Sequence, residues 1–140
     1  MKIVLDTNVL VSALFSQNGS SNKVLIWLFE NSKKVNVISN TLVSEYTDVL
    51  LREENLKQYA NLSKADIEMF LDDICLISYH QNINFLWRPF LKDIKDDMVL
   101  EVAFNSSANY IVTNNTKDFK NVEKNFNIKV VTTKEFLEII

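Results

Sequence analysis

The residues of this chain able to do chemistry by type and spacing are acids and amides. They are Asp6, Glu45, the run Asp93, Asp96 and Asp97, and the loop Asn114, Asn115 and Asp118. Each adds hard oxygen donors, and three or more carboxylate oxygens brought together form the environment that Mg2+ or Mn2+ selects. Asp6 breaks the apolar run VLDTNVL directly after KIVL. A turn or helix cap explains it alone equally well. Glu45 lies in TLVSEYTDVLL, where Leu42, Glu45 and Val49 share the i, i+3, i+7 face of a helix. That places a carboxylate on a face that should look inward, the alternative being a packed stem with its head in water. In DIKDDMVLEVAF three aspartates precede a helix. Capping and the helix dipole explain one of them. Three like charges so close raise one another's pKa and cost stability unless a cation neutralises them. Finally, YIVTNNTKDF runs a strand into Thr113, Asn115 and Asp118, either as part of the same site or as an ordinary polar loop.

Other chemistries are poorly supplied. A single histidine, His80, excludes a paired-histidine mechanism by count and reads as a surface loop residue. The lone Cys75 has no partner for an internal disulfide, and its setting in DICLIS reads as core packing. An aspartyl-phosphate mechanism of the haloacid-dehalogenase type, with Asp6 as nucleophile, lacks the acid two residues on, where Asn8 stands.

These residues need elements to position them. Short β-branched runs at 2–5, 35–38, 75–78, 110–113 and 129–132 read as five strands. Helical patterns fall at about 21–31, 41–53, 63–73, 97–108 and 133–140, and Ser63 with Asp66 and Thr132 with Glu135 have capping-box spacing. The alternation predicts an α/β fold, a mostly parallel sheet covered by helices on both faces, with functional groups at the carboxyl ends of the strands.

Composition bounds the rest. At 140 residues, with 47% hydrophobic residues, one Gly and one Pro, residues 1–140 are expected to form a single domain without long linkers. The net charge of −3 argues against a surface that is basic throughout, so only a local basic patch can recruit a polyanion. No signal peptide is read at the start, and the longest apolar run, VLIWLF, is too short to span a bilayer. A cytoplasmic protein with no membrane association is expected.

Over nearly its full length the chain resembles PIN-domain proteins, through VLDTNVLVSAL, SEY, DDMVLEVA and YIVTNNTKDF in that order. The resemblance implies a three-layer α/β/α sandwich around a mostly parallel, five-stranded sheet. It also implies a Mg2+- or Mn2+-dependent endoribonuclease, most often the toxin of a toxin–antitoxin pair, with RNA as substrate. By the same carry-over Asp6 and Glu45 are the first two metal-binding acids. Asp96 best fits the third, with Asp97 its close rival. Where the family most often has a fourth acid this chain has Asn115, and Asp118 supplies a charge three residues on. Asp6 and Asp96 are expected to hold the main ion, with Glu45 acting through water or orienting the nucleophile. Asn8 is expected to help hold Asp6 in place, with Thr113 and Asn115 beside it. Arg52, Arg88, Lys92, Lys95, Lys117 and Lys120 flank the acidic motifs as candidate phosphate contacts. NKVLIWLFENS is apolar on nearly every helical face and suits homodimerisation or antitoxin docking as well as burial. A domain of this fold that is catalytically weak or inactive and binds RNA or protein is the alternative function.

Overall fold

The computed structural model describes residues 1–31, 34–59 and 61–140. Its strands are β1 (Ile3–Leu5), β2 (Val37–Ile38), β3 (Tyr79–His80), β4 (Tyr110–Val112) and β5 (Lys129–Val131). Its helices are α1 (Thr7–Phe15), α2 (Ser20–Glu30), α3 (Asn40–Leu50), α4 (Glu53–Leu56), α5 (Lys64–Ile77), α6 (Ile94–Ser106), α7 (Val122–Phe126) and α8 (Thr133–Ile139), with a 3₁₀ turn at Thr116–Phe119.

All strand pairs are parallel, but they form two sheets rather than one of five strands. One has the order β1-β4-β5 and the other joins β2 to β3. They meet where Ile3 bridges Asn36 and its N–H donates to the Val35 carbonyl at 2.9 Å. All three residues of β1 are fully buried. Since strand side chains alternate between faces, both faces of β1 are covered, as its unbroken apolar sequence requires. Among the helices, α1 packs on α2 and α3, α2 on α8, and α3 on α5 and α6.

The third strand corrects the expectation at 75–78. CLI belongs to the last turn of α5, whose buried Ile67, Leu71 and Ile74 continue one helical face past the expected end at residue 73. The strand begins only at Tyr79, after Ser78, whose hydroxyl donates to the Ile74 carbonyl and accepts from Asn36 Nδ2 at 2.8 Å. His80 is exposed as expected but sits in β3 rather than in a loop. Cys75 is half-buried on α5 against the core, and burial pushes its thiol pKa up. Both capping boxes form as spaced, Ser63 with Asp66 and Thr132 with Glu135. Helix α1 was not among the expected helices, because Val9, Leu10 and Val11 prolong the apolar run of β1 beyond Asp6. Of NKVLIWLFENS, Val24, Leu25 and Leu28 are buried, Ile26 and Phe29 stay exposed, and Ser32 lies outside the described residues.

Candidate active site

Asp6 ends β1 at its carboxyl end and opens α1. It occupies the N-cap position, yet its side chain makes no capping bond. One carboxylate oxygen, Oδ2, instead accepts the Thr113 hydroxyl at 2.8 Å. Thr113 follows β4, the neighbour of β1, so parallel pairing of Leu5 with Val112 brings the two residues side by side. The Thr113 Oγ1 also accepts the Asn115 N–H at 3.1 Å and Asn8 Nδ2 at 3.4 Å, and Asn8 Oδ1 accepts the Asn114 N–H at 3.1 Å. Asn8 therefore reaches Asp6 through Thr113, and Asn115 contributes its backbone to the same knot.

Helix α3 presents Glu45. Its next residue, Tyr46, is buried and donates its hydroxyl to the Leu5 carbonyl, fixing the helix against the end of β1. Glu45 is largely covered and pairs with Lys95 Nζ at 3.5 Å.

The start of α6 divides the acidic run. Asp93 caps the helix by accepting the Lys95 N–H at 2.9 Å. Asp96 faces a cavity of about 520 Å³ whose walls also carry Asp6, Asn8, Glu45, Asp93, Lys95 and Asp118. Asp97 is fully buried outside that lining, where its Oδ1 accepts the N–H groups of Leu91 at 2.8 Å and Phe90 at 3.3 Å. Neighbours in sequence, Asp96 and Asp97 do different work because 100° of helical rotation separates them.

The electrostatics follow this geometry. Burial, and then the charges of Asp6, Asp118, Asp93 and Asp97, push the Asp96 carboxyl up to about 7. Burial also raises the pKa of Asp6 against the opposing hydrogen bonds from Thr113 and Thr7, with Asp118 and Asp93 adding to the rise. The cavity thus concentrates negative charge, with Lys95 and Arg52 the cations on its walls.

The structure brings Asp6, Glu45, Asp96 and Asp118 to one cavity, with Thr113 and Asn8 behind Asp6. It leaves Asp97, Asn115 and Arg88 outside the lining. Arg88 Nη2 and Nε instead reach buried Glu101 at 2.8 and 2.9 Å. Arg52 pairs with Asp48 at 2.8 Å, although it does line the cavity.

A further arrangement was not read from the sequence. Asp97, Glu101 and Asn105, spaced i, i+4, i+8 along α6, hold the segment before the helix by its backbone. Asp97 takes Phe90 and Leu91, Glu101 takes Trp87, and Asn105 takes Asn84 and Phe85. Three polar residues on one face of a mostly apolar helix are the signal that marks it.

A family model described as PIN domain matches residues 2–117. The chain belongs to the PIN-domain family. The matched span runs from β1 into the 3₁₀ turn, so it holds Asp6, Glu45 and Asp96 and stops one residue short of Asp118. This PIN domain is also similar to the uncharacterized protein MJ1680 of Methanocaldococcus jannaschii, with 30% identity over 146 positions. That alignment covers 99% of this chain and 90% of that protein.

The acids of this PIN domain suit a hard divalent cation in donor type, being carboxylates with unfavourable mutual charge. As the side chains stand, no three Asp, Glu, His or Cys residues among the described ones are grouped to hold an ion. Among the described residues no helix is long and apolar enough to cross a membrane.

Proposed function

We propose that this PIN domain is a Mg2+- or Mn2+-dependent endoribonuclease that hydrolyses RNA phosphodiester bonds. The observation that carries the proposal is the gathering of Asp6, Glu45, Asp96 and Asp118 on one cavity. In this reading Asp6 and Asp96 are the main ligands and Asp118 adds the charge that Asn115 lacks. When bound, the ion supplies an activated water and stabilises charge on the phosphate and the leaving oxygen. Thr113 fixes Asp6 by occupying one of its oxygens, which leaves the other for the cavity. Glu45, paired with Lys95 at the cavity wall, would orient the attacking water.

The family resemblance supports a toxin of a toxin–antitoxin pair, acting in the cytoplasm as a single domain. Exposed Ile26 and Phe29 on α2 support a docking face there for an antitoxin or a second copy. An antitoxin-like reading frame beside the gene, and light scattering with and without its product, test these two points.

The departure at Asn115 and the ungrouped acids favour, as a second reading, a domain that binds RNA without cutting it. Incubation of a mixed RNA pool with Mn2+ separates the two. Cleavage that EDTA stops supports the nuclease, and RNA retained uncut supports the binding module.

A further inference from the structure

Asp6 and Glu45 reach the cavity from different elements, the end of β1 and the middle of α3, so a contact between those elements must set their spacing. Successive residues of a strand turn their backbone groups to opposite sides. In β1 the Ile3 N–H points one way, to the Val35 carbonyl, and the Asp6 N–H the other, to the Val112 carbonyl on β4, each at 2.9 Å. Leu5 therefore turns its carbonyl to the Ile3 side. There β2 bridges β1 at Ile3 and Asn36, and two residues further on it is α3 that reaches the strand, through the Tyr46 hydroxyl.

The Leu5 carbonyl and the Asp6 N–H belong to one planar peptide unit. That unit is held at both ends, by Tyr46 at its oxygen and by Val112 at its nitrogen, and Thr113 holds the Asp6 carboxylate beyond it. The acceptor is the residue before Asp6, and the donor is the residue after Glu45. Tyr46 and Leu5 are both buried, so water does not compete for the bond.

We propose that Tyr46 is a positioning residue: its hydroxyl sets the spacing of Asp6 and Glu45 across β1 and α3, and with it the affinity of the pair for a divalent cation. The proposal rests on the metal-dependent reading above and adds a residue that touches neither ion nor substrate. Tyr46→Phe keeps the ring and its packing but leaves the peptide unit before Asp6 held at its nitrogen alone. Tyr59 provides a matched control. It is also buried, and its hydroxyl donates to the Leu50 carbonyl at 2.9 Å, on the last residue of α3 rather than on the strand that carries Asp6.

Calorimetric titration of Mn2+ into the parent, Tyr46→Phe and Tyr59→Phe proteins tests it, each protein verified as folded by circular dichroism. Tyr46→Phe should bind Mn2+ about ten-fold more weakly, the low end for a group that orients a metal ligand, and Tyr59→Phe should bind like the parent. Amide hydrogen exchange, read by NMR in EDTA, separates positioning from a general loss of stability. In Tyr46→Phe the Asp6 amide should speed up more than the Ile111 amide in the middle of β4. Should Tyr46→Phe not fold, the parent decides: Mg2+ should shift the Tyr46 Cζ resonance and leave that of Tyr59 in place. The proposal is overturned if Tyr46→Phe keeps the parent affinity, if Tyr59→Phe loses as much, if the two amides respond equally, or if Mg2+ leaves the parent's Tyr46 signal unmoved. A parent that binds no Mn2+ overturns the metal-dependent reading, while the exchange comparison still decides whether Tyr46 holds Asp6. Mn2+ binding in this pattern with no RNA cleavage overturns the nuclease reading alone.

Discussion

Thr113 donates its hydroxyl to Asp6 Oδ2 at 2.8 Å across the parallel pair β1 and β4. Both residues are buried, so the bond fixes a carboxylate at the sheet edge while Asn8 and the Asn115 backbone fix the threonine. Removing the hydroxyl but keeping the shape, as in Thr113→Val, is expected to cost about 10–100-fold in Mn2+ affinity or activity, the usual loss for an outer partner of a metal ligand. Thr113→Ser is expected to retain most of it. Calorimetric titration of Mn2+ into the two variants checks this.

Asp97 is expected to matter for stability and Asp96 for chemistry. Asp97→Ala leaves the Phe90 and Leu91 amides without their acceptor, at about 1–3 kcal/mol for each that stays buried. Asp97 is already imperfectly served, since its Oδ2 is buried without a partner. Urea unfolding should show the loss in Asp97→Ala and none in Asp96→Asn.

Which of these two acids faces the cavity was not legible from composition, because adjacent positions share every local signal and differ only in helical phase; only the family pattern favoured Asp96. The end of β1 was legible because the apolar run KIVL stops at Asp6, and the two capping boxes formed as spaced. The strand expected at 75–78 failed because Ile74 and Ile77 suit a helix packed on the core as well as a strand. The PIN-like pattern pointed to Asp6, Glu45 and Asp96, with Asp97 the rival of Asp96, and the first three line one cavity, whereas the roles of Arg88 and Lys95 depend on partners 13 and 50 positions away in the chain, Glu101 and Glu45.

Metal-free protein is expected to lose stability as pH rises from about 4 to 7. The folded state holds the Asp96 proton up to about 7 against an ordinary 3.8. Over that window the folded chain binds more protons than the unfolded one, so stability falls with rising pH. Asp6, also raised, acts in the same direction. Thermal melts in EDTA at pH 5 and pH 8 should show the lower midpoint at pH 8. Asp96→Asn should reduce the difference, and added Mn2+ should restore stability mainly at the higher pH.

Arg88 is expected to act on the fold rather than on RNA. Its Glu101 partner is buried, so Arg88→Ala strands a carboxylate and should cost about 3 kcal/mol, at the low end for broken buried pairs because the arginine is partly exposed. Chemical denaturation measures the cost. The salt slope of RNA binding, measured under conditions where the variant stays folded, should match the parent.

The most direct test of a metal-dependent ribonuclease built on Asp6 and Asp96 is the initial rate of cleavage of a mixed RNA pool in Mn2+. Parent, Asp6→Asn and Asp96→Asn proteins are compared, each shown to be folded by circular dichroism. Cleavage by the parent should stop on adding EDTA, and both variants should fall by more than the roughly 100-fold that loss of an outer partner costs. Folded variants that cut as fast as the parent, or a parent rate that EDTA leaves unchanged, would contradict it.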